Sequence, residues 1–309
     1  MPDVRRLPVP EGLVGERLDV ALSRMLGLSR TAAAELVDAG HVRVDERAVA
    51  RAERLAQGQW IDVEFPDVEA DREPEPVEGM RIVFDDDDVV IVDKPVGVAA
   101  HPSPGWTGPT VVGGLAAAGY RISTSGAAER QGVVHRLDVG TTGLMAVAKS
   151  EAAYAALKDQ FRERTVEKTY RAIAQGHLDP LAGTIDAPID RHPTQDWRMA
   201  VVSGGRPSIT HYETLEAFPR ASLVEVNLET GRTHQIRVHL AAMRHPLVGD
   251  TTYGADPTLA ERLGLARPAL HAARLALEHP ATGDRLVVES PDPPDFTEAL
   301  RRLDADAAG

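Results

Sequence analysis

The sequence predicts an α+β protein in two domains, and three observations predict it. Residues 16–40 carry two helical periods of apolar residues followed by short alternating runs. Residues 66–80, PDVEADREPEPVEGM, combine three prolines, repeated acids and no apolar period, which is a linker composition. From Arg81 onward short β-rich runs dominate, with helical periods between them. The expected division is therefore a small domain over residues 11–65, a linker over 66–80 and a large domain over 81–300.

Taken in order, residues 1–10 hold three prolines and no period and are expected to form a loose arm. Leu18, Leu22, Met25 and Leu26 then fall at i, i+4, i+7 and i+8, and Gly27 stops that helix. Ser29 caps a second helix with Ala32, Ala33, Leu36 and Val37 on its apolar stripe and Gly40 at its end. His41–Val44 alternates as a strand, Asp45–Glu46 turns, and 58–65 reads as a further strand.

In the large domain, Ile82–Phe84 and Val89–Val92 are strands around an acidic turn, and the second ends in Lys94–Pro95. A helix is expected over 110–118. Ala152, Ala153, Ala156, Leu157 and Phe161 describe an amphipathic helix, with Lys158, Arg162 and Arg164 on or near its polar side. Strands follow at 166–174, 187–189, 208–212 and 221–228, and Arg191–Pro193 reads as an irregular loop. Residues 291–309 close the chain as a short acidic helix and tail.

Composition narrows the chemistry. There is no cysteine, which excludes disulfides, zinc thiolates and thiol catalysis. No apolar run at the N-terminus has signal-peptide or membrane length, so a soluble, cytoplasmic protein is expected. His234, His239 and His245 fit no HExxH spacing, and no metal site is expected. The net charge of −13 taken alone argues against a polyanionic partner. Residues 61–93, however, hold 13 acids against two arginines, whereas 94–283 hold 20 basic residues against 18 acids. The acidity is local, and global charge says little about the rest of the surface.

The chemically densest stretch is Gly132–Ser150, GVVHRLDVGTTGLMAVAKS, which places His135, Arg136 and Asp138 between two apolar runs. Val133–Val134 and Leu144–Ala148 read as strands around a Gly140–Gly143 bend, so Asp138 stands at the tip of a strand-loop-strand element. A lone Asp before such a bend is more often a turn former. Similarly, Tyr170 taken alone is a strand aromatic that anchors a sheet.

The full strings change that weighting. His135-Arg136-Leu137-Asp138 with Thr141-Thr142-Gly143-Leu144, Tyr170 after Lys168, and Thr230-Gly231-Arg232-Thr233-His234-Gln235-Ile236-Arg237 resemble, in order, the motifs of the RluA-type pseudouridine synthases. Lys94–Pro95, His101–Pro102, His245–Asp250 and Tyr253–Gly254 continue the similarity. The order Arg17-Leu18-Asp19, Leu28-Ser29-Arg30, Gly40, Val42-Arg43-Val44 and Gly58 resembles the S4 RNA-binding domain, with Asp45–Glu46 where Asn-Gly is usual and hence a looser turn expected. The combination is most similar to the S4-bearing, D-type synthases of large-subunit ribosomal RNA. Thr142 in place of Ser and Val139–Gly140 in place of a charged pair are departures.

The resemblance implies a catalytic domain on a large mixed, mostly antiparallel sheet behind a small N-terminal S4 domain. It implies isomerisation of uridine to pseudouridine in structured RNA, with several uridines of a stem-loop as substrates and no cofactor or metal. Asp138 would be the nucleophile, a role for which an aspartate, ionised at neutral pH, needs no activating base. Arg237 would hold it charged and aimed, and Tyr170 would stack on the uracil and move a proton. All three are expected at strand ends. The target nucleotide must leave its stack, and Arg136, supported by His135, would fill the gap. Arg24, Arg30, Arg43, Arg47, Arg51 and Arg54 of the S4-like domain and Arg191, Arg232 and His234 of the large one are the expected RNA contacts. A monomer acting on ribosomal RNA or a precursor particle is expected. Two rivals stand beside this reading: a non-catalytic RNA-binding or ribosome-assembly protein, and a hydrolase using Asp138 on a small substrate.

Overall fold

The computed structural model describes residues 3–9, 13–26, 30–65, 74–103, 106, 108–194 and 198–308. The chain divides into two compact units, Met1–Glu73 with Ser103–Trp106 and Pro74–Pro102 with Thr107–Gly309.

The N-terminal unit packs helices α1 (Leu18–Leu26) and α2 (Arg30–Asp38) with a four-stranded antiparallel sheet. Its strands are β1 (Asp3–Pro8), β2 (Val42–Val44), β3 (Arg47–Ala48) and β4 (Trp60–Phe65), in the order β1-β4-β2-β3. The core is Leu18, Leu22, Ala33, Val37, Val42, Val44, Ile61 and Val63, the residues that the helical and alternating patterns select. Two expectations are corrected here. The N-terminal arm is a strand, paired with β4 from Asp3↔Phe65 to Pro8↔Trp60; its terminal proline is tolerated because β1 is an edge strand. The Asp45–Glu46 turn is tight. Both residues take left-handed backbone (φ 50° and 65°), and the Asp45 carboxylate accepts the Trp60 amide at 2.9 Å. The expected Ser29 cap and the Gly27 stop lie outside the described residues.

The large unit is built on a nine-stranded, mixed and mostly antiparallel sheet. Its first strands, β5 (Arg81–Asp85) and β6 (Val89–Lys94), pair antiparallel with each other and then with β7 (Thr142–Ala148). Every residue of β7 is buried, as are Val89 to Val92. Alternate residues feed clusters on opposite faces: Val90, Val92, Met145 and Val147 on one, Val89, Ile91, Leu144 and Ala146 on the other. A continuous apolar run is what a strand covered on both faces requires.

Helix α3 (Val111–Ala117) precedes β7, and α4 (Glu151–Glu163) follows it, capped by the Ser150 hydroxyl accepting the Ala153 amide at 3.1 Å. The sheet continues with β8 (Glu167–Gln175), β9 (Ala182–Asp186), β12 (Ile209–Phe218) and β13 (Ala221–Leu228). Between them β10 (Ile189–Arg191) and β11 (Met199–Val201) form a separate two-stranded pair, so Arg191 ends a strand instead of opening a loop. Helices α5 (Gln235–Ala242) and α6 (Pro257–Leu263) come next, then β14 (Leu270–Glu278), β15 (Arg285–Glu289) and α7 (Pro294–Ala308). The sheet order is β5-β6-β7-β14-β8-β13-β12-β9, with β15 beside β14. The β7–β14 pairing, His271↔Thr142 and Ala272↔Gly143, is the one parallel strand pairing among the described residues. Gly143 permits it: with φ +110°, a Cβ there would lie 2.3 Å from the Ala272 carbonyl oxygen.

Candidate active site

A cleft of about 670 Å³ opens in the large unit, and Asp138, Tyr170 and Arg237 all line it. Each reaches it by a different route. Asp138 lies on the irregular segment before β7, which is less strand-like than expected: Val133 and Val134 contribute a single bridge to Val147. The segment is closed by the Thr141 amide donating to the Asp138 carbonyl at 3.0 Å and by the Gly97 amide donating to that of Val139 at 3.0 Å. Tyr170 lies within β8, buried to 7% exposure, its register set against Val226 and Ala272. Arg237 is on helix α5 and not at a strand end, which corrects the expectation. Residues 235–240 are buried throughout, so no polar face marks the helix and its sequence alternates like a strand.

Arg237 is held by a residue that sequence reasoning missed. Its Nε and Nη2 donate to the two oxygens of Asp250 at 2.7 and 2.9 Å, a buried bidentate pair that directs Nη1 toward the Asp138 carboxylate at 3.5 Å. Burial works against the Arg237 charge, but Asp250 and then Asp138 overrule it and hold the guanidinium above its ordinary pKa. The guanidinium carbon lies 5.0 Å over the Tyr253 ring, and the Tyr253 hydroxyl meets His234 Nδ1 at 2.8 Å. His234 Nε2 is 3.9 Å from the Asp138 carboxylate. Burial depresses the His234 pKa and Asp138 offsets only part of that, so the imidazole is neutral near pH 7. Gly249 was the available sign of Asp250: at φ +83°, its Cβ would lie 2.0 Å from the Arg267 carbonyl oxygen, a close approach that sets the turn carrying Asp250.

Two more basic residues brace this region, Lys94 through the 95–98 segment and Arg267 through the Gly140 carbonyl of the loop itself. Lys94 is fully buried, donating from Nζ to the carbonyls of Val98 at 2.8 Å and Pro95 at 3.1 Å. Burial pushes its pKa down to about 7 against the pull of Asp138. Arg267 pairs bidentately with Asp295 of α7 at 2.7 and 2.9 Å and donates from Nη1 to the carbonyls of Gly140, Pro268 and Leu270. The loop is therefore fixed through its backbone, leaving the Asp138 side chain open to the cleft.

The other predicted residues divide. His135 lines the cleft and accepts the Ala146 amide on Nε2 at 2.9 Å while stacking on Phe161 at 4.6 Å between centroids. Burial pushes its pKa down to about 3, so it is neutral and its acceptor nitrogen is occupied. Arg136 is exposed on the cleft wall and makes no hydrogen bond or ion pair among the described residues. Arg232 lines the cleft, its backbone tied to Gln235 Oε1 at 3.0 Å. Arg191 does not line it. Arg43 is exposed on β2 in the other unit, and the side chain of Arg30 lies outside the described residues. His239 and His245 are engaged by the fold, His239 with Thr210 and the Ala187 carbonyl, His245 with the Gln175 carbonyl. Among the described residues no group of three or more His, Asp or Glu is placed to hold a metal ion.

Although the chain carries −13, the cleft is lined by seven Lys and Arg residues against Asp138 and Glu229. A carboxylate faced by a fixed guanidinium, a flat buried phenol and a cationic rim suits attack on a planar base carried by a polyanion.

Comparison with known proteins agrees with that geometry. The family model described as RNA pseudouridylate synthase matches residues 88–242, and the S4 domain model matches 16–61. An uncharacterized RNA pseudouridine synthase of Mycobacterium bovis is 58% identical over 97% of this chain and 98% of its own length. The ribosomal large subunit pseudouridine synthase D of Nitrosomonas europaea is 42% identical over 96% of this chain and 87% of its own. The solved structure of human RNA pseudouridylate synthase domain containing 1 is 32% identical with a TM-score of 0.58, covering 74% of this chain and 90% of that one. The chain belongs to the RNA pseudouridylate synthase family and is an enzyme that isomerises uridine to pseudouridine, with an S4 domain at its N-terminal end.

Proposed function

We propose that the substrate is large-subunit ribosomal RNA, with several uridines of one stem-loop as targets, and that Asp138 is the nucleophile. The substrate reading draws on the names of the D-type relatives. The site reading rests on one observation above others, the Arg237 guanidinium fixed by Asp250 and facing the Asp138 carboxylate at 3.5 Å.

In this reading the Asp138 carboxylate adds to the flipped uridine, the N-glycosidic bond breaks, the base turns, and C5 bonds to C1′ in place of N1. The proton leaves C5, and N1 gains one, so the product is an isomer and the carboxylate is released. Arg237 orients the carboxylate through the contact from Nη1. Tyr170 supplies a flat ring for the base and, through its hydroxyl, a proton relay; burial and the Asp138 charge raise its pKa, so it stays protonated at neutral pH. Arg136, exposed and without a hydrogen bond or ion pair among the described residues, fills the space vacated by the extruded nucleotide. His135 acts by holding the motif loop, and Arg232, His234 and Arg191 join the RNA contacts. Residues 11–65, to which β1 adds an edge strand, form the S4 module with Arg30 and Arg43 on phosphates; 66–80 is the tether and 81–300 the catalytic domain. The enzyme works in the cytoplasm, as a monomer, without cofactor or metal.

Asp138→Asn tests the assignment. Pseudouridine mapping by carbodiimide primer extension on ribosomal RNA should show no product with the variant, a loss of at least about 10⁴-fold in single-turnover rate. Product formed at the wild-type rate would return Asp138 to a structural role.

A further inference from the structure

One wall of the cleft has no role in the chemistry above, the C-terminal half of α4 and the turn after it. Lys158, Arg162 and Arg164 are exposed there and line the cleft, with Lys168 following on β8. Lys158 and Arg162 are one helical step apart and share a face, a rise of about 6 Å that is comparable to one nucleotide of extended strand.

The cations of this wall are loosely held. Lys158 has no ion pair among the described residues. Arg162 pairs with Asp159 at 2.6 Å and Glu163 at 3.7 Å, and Arg164 approaches Glu229 at 3.8 Å, all on the exposed surface. Such pairs exchange readily for a stronger anion. Arg164 also occupies the helix C-cap in left-handed backbone, φ 62° and ψ 31°, where glycine carries no steric cost. A long cationic side chain kept in a strained position on a cleft wall points to a use for that side chain. Behind it the Lys168 ammonium lies 5.8 Å over the Phe161 ring, and Phe161 stacks on His135, so the wall is joined to the motif loop.

We propose that this wall is a phosphate track: Lys158, Arg162 and Arg164 bind consecutive phosphates of the RNA strand that flanks the uridine at Asp138. The proposal rests on the RNA-substrate reading above and adds the surface that takes the strand.

The test measures binding of a fluorescein-labelled oligouridylate to the full chain by anisotropy over a salt series. Each single-strand phosphate contact contributes about 0.7 to the slope of log K against log salt, so K158Q/R162Q/R164Q should lower the slope by about 2. A control that removes the same charge outside the cleft, R121Q/R220Q/R244Q, should leave the slope within about 0.3 of wild type. Equal losses in the two variants, or no loss in the first, would overturn the track. R164G stands apart from any misfolding of the triple variant. Glycine relieves the left-handed backbone, so its Tm should rise while its slope falls by about 0.7; a rise in Tm with an unchanged slope also rejects the proposal. Single-turnover pseudouridine formation in ribosomal RNA by the wild-type enzyme, with enzyme in excess, tests the substrate reading separately. Absence of product from the wild-type enzyme would instead remove the substrate reading, an outcome separate from any result of the salt series.

Discussion

The two walls of the cleft carry similar charge and treat it in opposite ways. On the α5 side, Arg237 is 8% exposed, fixed by two hydrogen bonds to Asp250 and laid over Tyr253. On the α4 side, Arg162 and Arg164 keep 68% and 44% of their side-chain surface exposed and hold only surface partners. A charge that must meet one atom is worth immobilising, because orientation is set before the substrate arrives. A charge that must follow a flexible polyanion is better left mobile, where it steers without demanding one geometry. The same residue type thus serves as a fixed instrument on one wall and a compliant rail on the other.

Breaking the fixed wall should have the largest effect. Asp250→Asn leaves Arg237 buried with a neutral partner, which should cost about 3–5 kcal/mol of stability in urea denaturation. In the same variant the single-turnover rate should fall by about 10²–10³-fold with KM within a few-fold of wild type. An Asp250→Asn enzyme that loses only affinity would place Arg237 on the RNA-holding side of the comparison. Tyr170→Phe keeps the flat ring and removes the hydroxyl. A drop of about 10²-fold in rate with unchanged RNA affinity would assign the hydroxyl to proton transfer, whereas full activity would leave only stacking.

The smallest expected effect concerns His135, which bridges the α4 wall to the motif loop. Its folded pKa, about 3, lies below the ordinary 6.5 because the ring is buried. As pH falls below 6.5 the unfolded chain takes up a proton that the native state refuses, so this group withdraws stability progressively between pH 6.5 and about 3. His135→Gln can still accept the Ala146 amide but does not titrate. Its Tm should be lower than wild type at pH 7, through the lost stack on Phe161, and the deficit should narrow as pH is lowered; a constant deficit would show that the native imidazole protonates freely.

How much of this was legible in the sequence depended on whether the information was local. Asp138, Tyr170 and Arg237 were named from their strings, and the structure brings all three to one cleft. The element under Arg237 was misread because Gln235 to Leu240 is buried on every side, so its helical period leaves no polar stripe to detect. β1 was missed because six residues with a proline show too little alternation; only its partner β4 makes it a strand. Lys94 and Asp250 stand in strings that carry the resemblance, but their roles, like that of Arg267, escaped for a different reason. Each acts through tertiary contacts, on Arg237, on the Val98 carbonyl and on the Gly140 carbonyl, and nothing in their own neighbourhoods states those partners.

The parallel junction at Gly143 sets the order in which the enzyme becomes competent. Thr142, at the base of the Asp138 loop, meets His271 across 129 positions of chain, at 2.9 Å. Contacts of that separation are late and slow to form. During synthesis the chain therefore emerges with Asp138, Tyr170 and Arg237 all present well before β14 can suture the two halves of the sheet or Arg267 can secure the Gly140 carbonyl. The junction comes last: a nascent or truncated chain ending near residue 242 would contain Asp138, Tyr170 and Arg237 and still lack Asp250 and the β14 frame that aim them.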